Sequence, residues 1–131
     1  MKIGYKQLLD EAMSEVETLS VEDAIALHEK GEAQFVDLRD IRELRHEGKI
    51  PGTYHMPRGM LEFWIDPASP YFKKVFSQDA RFVFYCKSGW RSALATQTAQ
   101  RMGLDCVCHI GGGFDAWKES GAQIQMLDDE A

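Results

Sequence analysis

The segment "ARFVFYCKSGWRSALATQTAQRMG", residues 80–103, decides how this chain folds. It opens with an unbroken apolar run, Phe82 to Tyr85, that ends at Cys86. A short run of aromatic and branched residues bounded by turn residues reads as a strand buried on both faces. Gly89 offers the backbone freedom for a sharp turn, and "RSALATQTAQRM" then reads as a helix stopped by Gly103. Strand, tight turn and helix together make one βα unit of a parallel sheet.

The same alternation runs through the rest of the chain. "YKQLLDEAMSEV" places Tyr5, Leu8, Leu9, Ala12, Met13 and Val16 at helical spacing, which predicts an amphipathic N-terminal helix. Its apolar face packs on its own domain or on a second subunit. "VETLS" reads as a short strand, and Ser20 caps a helix over "VEDAIALHEK" that Gly31 ends. "QFVDLR" is a buried strand. Asp40 caps "IRELRHE", with Glu43 at the capping-box position and Gly48 after it. "RGMLEFWIDPASPYFKKVF" predicts a short helix, a loop and a further helical turn. "CVCHI" is a last strand, and "GGGFDAWKESG" is a glycine turn followed by a short helix. The expected fold is therefore α/β: a small central parallel sheet flanked by helices on both faces, with an N-terminal amphipathic helix. The domain reading is a helical extension over residues 1–16, one domain over 17–124 and an acidic tail over 125–131.

Composition narrows the function. A chain of 131 residues with 44% apolar residues can bury a core without disulfides or metal. A net charge of −6 and the lack of any Lys/Arg-rich stretch argue against a nucleic-acid partner, so an anion must meet a local cationic site. No apolar run reaches membrane-spanning length, and the first 20 residues lack the apolar run of a signal peptide. Three cysteines, Cys86, Cys106 and Cys108, do not form a disulfide framework. The expectation is a cytoplasmic protein, monomeric or homodimeric, whose Cys86 is kept as a thiol.

Cys86 is either a small buried spacer or a nucleophile. Its position at the carboxyl end of a strand is where open α/β sheets bind ligands. Successive N–H groups of the "KSGWRS" turn can form an anion-binding nest, and the following helix adds its N-terminal N–H groups. Lys87 and Arg91 add full charges. These features favour an anionic, nucleophilic sulfur. Arg91 follows Cys86 as Cys-x4-Arg, one residue shorter than the Cys-x5-Arg of a tyrosine-phosphatase-type loop. The tighter loop suits a single terminal sulfur on the cysteine better than a whole phosphate.

Taken together, "FVDLRDIRELRHEGKIPGTYHMP", "FVFYCKSGWRS", "AQRMGLDCVCHIGGG" and "GGFDAWKESG" resemble, in order, the blocks of the single-domain rhodanese family over about residues 17–124. The resemblance implies a sulfurtransferase. Cys86 would take a sulfane sulfur from a small anionic donor such as thiosulfate. The resulting persulfide would pass it to cyanide, a small thiol or a partner protein's cysteine. No metal or organic cofactor is implied. Ser88, Gly89, Trp90 and Ser92 would hold the sulfur through the loop, with Lys87 and Arg91 as substrate-facing cations. Lys87 stands where Arg is frequent, Lys49 replaces a usual His, and Gly111 replaces a common acidic residue. A module that binds a partner or senses persulfide without turnover is the alternative.

Other residues carry weaker signals. Asp37 and Arg39 end a strand on the Cys86 edge of the sheet, where the resemblance implies that they buttress the site by ion pairing. Trp90 either contacts a substrate or packs on a neighbouring loop. Trp117 and the cluster Phe63, Trp64, Tyr71 and Phe72 read mainly as core. Cys106 and Cys108 share a strand face and read as half-buried structural cysteines; with His109 they make only a weak metal signal. His28, His46 and His55 show no metal-ligand spacing.

Overall fold

The computed structural model describes residues 1–127. Five strands, β1 (Thr18–Leu19), β2 (Ala33–Asp37), β3 (Tyr54–His55), β4 (Arg81–Tyr85) and β5 (Val107–Ile110), form one sheet in the order β1-β5-β4-β2-β3. Every pairing in it is parallel. Six helices connect or flank the strands: α1 (Tyr5–Glu15), α2 (Val21–Lys30), α3 (Ile41–Glu47), α4 (Leu61–Ile65), α5 (Trp90–Met102) and α6 (Gly113–Glu119). Single 3-10 turns lie at Arg58–Met60 and Lys74–Ser77.

The local signals act as expected. Ser20 accepts the Asp23 N–H at 3.1 Å, and Gly31 closes α2 at φ 66°. Asp40 and Glu43 form a complete capping box on α3. β4 lies between β5 and β2, and Phe82 and Phe84 pack in one core cluster while Val83 and Tyr85 pack in the other. That is why its sequence is continuously apolar. The first cluster includes Leu61 and Ile65 of α4 with Ala95 and Ala99 of α5; the second includes Ala24 of α2 with Phe114 and Trp117 of α6. Helices thus cover both faces.

Some boundaries and exposures differ from the expectations. The "VETLS" strand shrinks to Thr18 and Leu19, because this edge strand pairs only with β5. Cys106 precedes β5 and is exposed, whereas Cys108 is fully buried, so the two cysteines are not an equivalent half-buried pair. Phe63 and Tyr71 are exposed, and only Trp64 and Phe72 of that cluster pack against the core. α1 packs on α5 of its own chain: Gln97 and Gln100 donate to the Glu15 side chain and carbonyl at 3.1 and 2.9 Å. Gln125 bridges antiparallel to Lys49, and residues 128–131 of the expected acidic tail lie outside the described residues.

Candidate active site at the end of strand β4

The backbone after β4 turns around the sulfur of Cys86. The N–H groups of Gly89 and Ser92 point at Cys86 Sγ from 3.3 and 3.4 Å, and the sulfur is buried. Gly89 makes this turn at φ 106°, in the left-handed region that side chains resist. The carbonyls face the other way. Those of Cys86 and Lys87 accept the Phe114 and Asp115 N–H groups of α6 at 2.8 and 3.0 Å. The start of α6 therefore holds the loop carbonyls outward and leaves loop N–H groups for the sulfur.

That contact requires glycine at position 113. A Cβ there would lie 2.5 Å from the Cys86 carbonyl oxygen and 2.6 Å from that of Lys87. Gly111 answers a second steric demand, since a Cβ would meet Thr18 Cγ2 at 3.0 Å.

Both loop cations are engaged by carboxylates. Arg91 holds Glu43 through two bonds of 2.8 and 3.1 Å. Lys87 Nζ lies 3.1 Å from Asp115 and 3.5 Å from Glu47. The Arg91 hydrogen bonds hold the Glu43 carboxyl below its usual range, and the hydrogen bond to Asp115, with the charge of Glu47, raises the Lys87 ammonium. Glu43 and Lys87 are thus held in their charged forms.

Asp37 and Arg39 form a fully buried pair beside the loop. Arg39 Nη2 donates to Asp37 Oδ2 at 2.7 Å and to the Gly48 carbonyl at 2.7 Å, while Nε donates to Asp37 Oδ1 at 2.9 Å. The guanidinium lies 4.1 Å from the Phe114 ring centre, so the pair also braces the start of α6. Leu38 N–H donates to the Tyr85 carbonyl at 2.9 Å, which ties this segment to the strand end that carries Cys86. Burial pushes the Tyr85 phenol well above its ordinary value, and its neutral hydroxyl accepts the Ile50 N–H at 3.2 Å.

His109 enters the site from β5. Its Nδ1 lies 2.8 Å from Ser92 Oγ and its Nε2 lies 2.9 Å from Thr18 Oγ1. Burial lowers its pKa to about 4, so the ring is neutral at physiological pH. On this side of the loop a cleft of about 400 Å³ opens, lined by Ser88, Gly89 and Trp90 and by Tyr5 and Leu9 of α1. Trp90 packs on Tyr5 with ring centres 5.3 Å apart, yet remains 58% exposed.

The residues singled out from the sequence therefore meet at one edge of the sheet: Cys86, Lys87, Gly89, Arg91 and Ser92 in the loop, with Asp37 and Arg39 beside it. Sequence reasoning missed Glu43, Glu47, Asp115, His109 and the contact of Gly113. Glu43 carried a visible signal, but as a helix cap. The other histidines serve elsewhere: His28 and His55 lie 2.7 Å from the carbonyls of Pro51 and Arg39. Among the described residues, no three His, Cys, Asp or Glu side chains cluster as a metal site. No helix there is long and apolar enough to cross a membrane.

Residues 20–120 match the rhodanese-like domain family, and the chain belongs to it. A solved structure from Rhodopseudomonas palustris, of a protein of unknown function described as a possible tyrosine phosphatase, is 56% identical. It superposes with a TM-score of 0.93 over 95% of this chain and 96% of that one. The polysulfide-sulfur transferase homodimer of Wolinella succinogenes is 29% identical, with a TM-score of 0.69 over 96% of this chain and 90% of that one. Among curated proteins, the thiosulfate sulfurtransferase/rhodanese-like domain-containing protein 3 of Mus musculus is 31% identical over 88 residues, 63% of this chain. The chain spans 56% of the length of that relative.

Proposed function

We propose that this member of the rhodanese-like family is a sulfurtransferase that carries a sulfane sulfur on Cys86. The supporting observation is the pair of N–H groups, from Gly89 and Ser92, directed at Cys86 Sγ. Such a nest favours the thiolate nucleophile and an anionic sulfur built on it. The thiolate attacks the outer sulfur of a sulfane donor. With thiosulfate, the S–S bond breaks and sulfite departs with the bonding pair, leaving a Cys86 persulfide. An acceptor, namely cyanide, a small thiol or a protein cysteine, then attacks the outer sulfur, and Cys86 leaves as thiolate. The cycle balances without an oxidant, and it calls on no metal or organic cofactor. A reducing cytoplasm would keep Cys86 ready for it.

The experiment is intact-mass measurement after incubation with sulfane donors. Wild type should gain one sulfur and lose it to an added thiol, and Cys86→Ser should gain none. No gain on Cys86 from any donor would end this reading. Stable loading without transfer to any acceptor would instead identify a carrier or sensor.

The description of the R. palustris relative as a possible tyrosine phosphatase gives a second reading, hydrolysis of a phosphate ester through Cys86. The short Cys-x4-Arg spacing and the engagement of Arg91 by Glu43 weigh against it. Cys86-dependent hydrolysis of an aryl phosphate, with no sulfur loading, would reverse that judgement.

A further inference from the structure

The cations of the Cys86 site do not make it a cationic site. Arg39, Lys87 and Arg91 are linked there to Asp37, Glu43, Glu47 and Asp115, three positive charges against four negative ones. Glu47 stands between the two halves of this array, 3.5 Å from Lys87 Nζ and 3.6 Å from Arg39 Nη1. The Lys87 and Arg91 side chains are 48% and 40% exposed, so they sit at the mouth where a donor must approach. Arg42, which lines the same cleft as Glu43, Glu47 and Lys87, is itself paired with Asp40 at 2.9 Å, and the inner backbone N–H groups serve the sulfur itself. Beside the loop, the exposed rings of Trp90 and Tyr5 offer an apolar surface.

A sulfane donor has two parts, the sulfur to be transferred and the group that leaves. In thiosulfate the leaving group is sulfite, a dianion whose oxygens need free cations. In an alkyl persulfide it is a thiolate on a carbon chain, which needs an apolar rim and a single anion-stabilising contact. The first would have to displace carboxylates from both Lys87 and Arg91, and would meet a net negative mouth while doing so. The second matches what the site presents.

We infer that Glu43, Glu47 and Asp115 are specificity determinants that exclude doubly anionic sulfur donors, and that the donor is a persulfide of an organic thiol. This rests on the sulfur-transfer reading. The step is attack of the Cys86 thiolate on the outer sulfur of R–S–SH; the donor S–S bond breaks, R–S⁻ leaves with the electron pair, and Cys86–S–SH forms. Added salt screens both kinds of interaction, so it speeds the approach of like charges by relieving their repulsion and slows the approach of opposite charges by weakening their attraction. The sign of the salt effect on the loading rate therefore reports the charge that the donor meets.

The test compares rates of sulfur loading on Cys86 from thiosulfate and from the persulfide of 2-mercaptoethanol, at low and high ionic strength. In wild type, loading from thiosulfate should be the slower and should accelerate with salt. In the Glu43→Gln, Glu47→Gln, Asp115→Asn triple variant, the ratio of thiosulfate to hydroxyethyl persulfide rates should rise by about tenfold or more, and thiosulfate loading should now slow with salt. Gln retains the capping acceptor of Glu43, and Asp115→Asn alone provides a variant with an intact α3 cap. Thiosulfate loading that slows with salt in wild type, or a rate ratio that the substitutions leave unmoved, would overturn the inference while sulfur transfer stands. Absence of loading from both donors would overturn the sulfur-transfer reading and this inference with it.

Discussion

Ser92 Oγ lies 2.8 Å from Nδ1 of His109, and both residues are buried. The same serine places its N–H 3.4 Å from Cys86 Sγ. A neutral imidazole on β5 is thereby one residue removed from the sulfur, and its protonation is linked to folding. With a folded pKa of about 4 against an ordinary value near 6.5, the unfolded chain binds a proton between those limits that the folded chain does not. The contribution of His109 to stability is complete above about pH 6.5 and falls as pH drops toward 4, by about 3 kcal/mol. Urea unfolding at pH 7, 5.5 and 4 should show this loss, and His109→Gln should flatten the slope across the interval. An equal slope in the variant would remove His109 as its origin.

Thr18→Val tests the other end of the same chain of contacts. The substitution keeps the shape of the side chain but removes the hydroxyl 2.9 Å from His109 Nε2. A buried ring nitrogen without a partner costs about 1–3 kcal/mol. Denaturant unfolding should register that loss, and a neutral result would mean that water takes the place of the hydroxyl.

Gly113→Ala should be far more harmful than Gly121→Ala. Both glycines have positive φ, 59° and 82°, which costs a side chain about 1–2 kcal/mol. Only at Gly113 would the new methyl group also strike backbone, 2.5 Å from the Cys86 carbonyl; at Gly121 nothing lies within 4 Å. Melting temperatures of the two variants should separate clearly, and sulfur loading on Cys86 should fall only in Gly113→Ala. Equal effects would refute the proposed grip of α6 on the loop.

Asp37→Asn should cost about 3–5 kcal/mol, because it removes the hydrogen-bonded counter-ion of a fully buried Arg39 guanidinium and leaves only the partly exposed Glu47 carboxylate 3.6 Å away. Arg39→Met in the Asp37→Asn background should recover part of that loss, since the charge is then gone. A double-mutant cycle in denaturant measures the coupling, and strictly additive losses would contradict a mutually dependent pair. Loss of activity in Asp37→Asn alone therefore says nothing about chemistry.

The readability of the site followed sequence distance. Ser20, Asp40 with Glu43, Gly31 and Gly103 act within one helical turn of themselves, and each was visible as a local pattern. The apolar run before Cys86 placed this cysteine at a strand end for the same reason. The partners of the loop were hidden because they arrive from afar. Glu43 is 48 positions from Arg91, and Asp115 is 28 from Lys87. In the sequence, His109 beside Cys106 and Cys108 gives only a weak metal signal. Strand alternation gave their faces, but the short β5 excludes Cys106, and the ring of His109 lies between residues from β1 and α5.

By itself, the amino-acid order determined the alternation of strand and helix, the parallel sheet, the cysteine at its carboxyl edge and the short spacing to Arg91. These rest on periodicity, caps and turn residues, which are local. Only the tertiary structure decided the charge that the site presents. The sheet order β1-β5-β4-β2-β3 brings α3, α6 and the Cys86 loop to one place. There the carboxylates of Glu43, Glu47 and Asp115 meet Lys87 and Arg91, and two cations that stand out in the sequence are balanced in space.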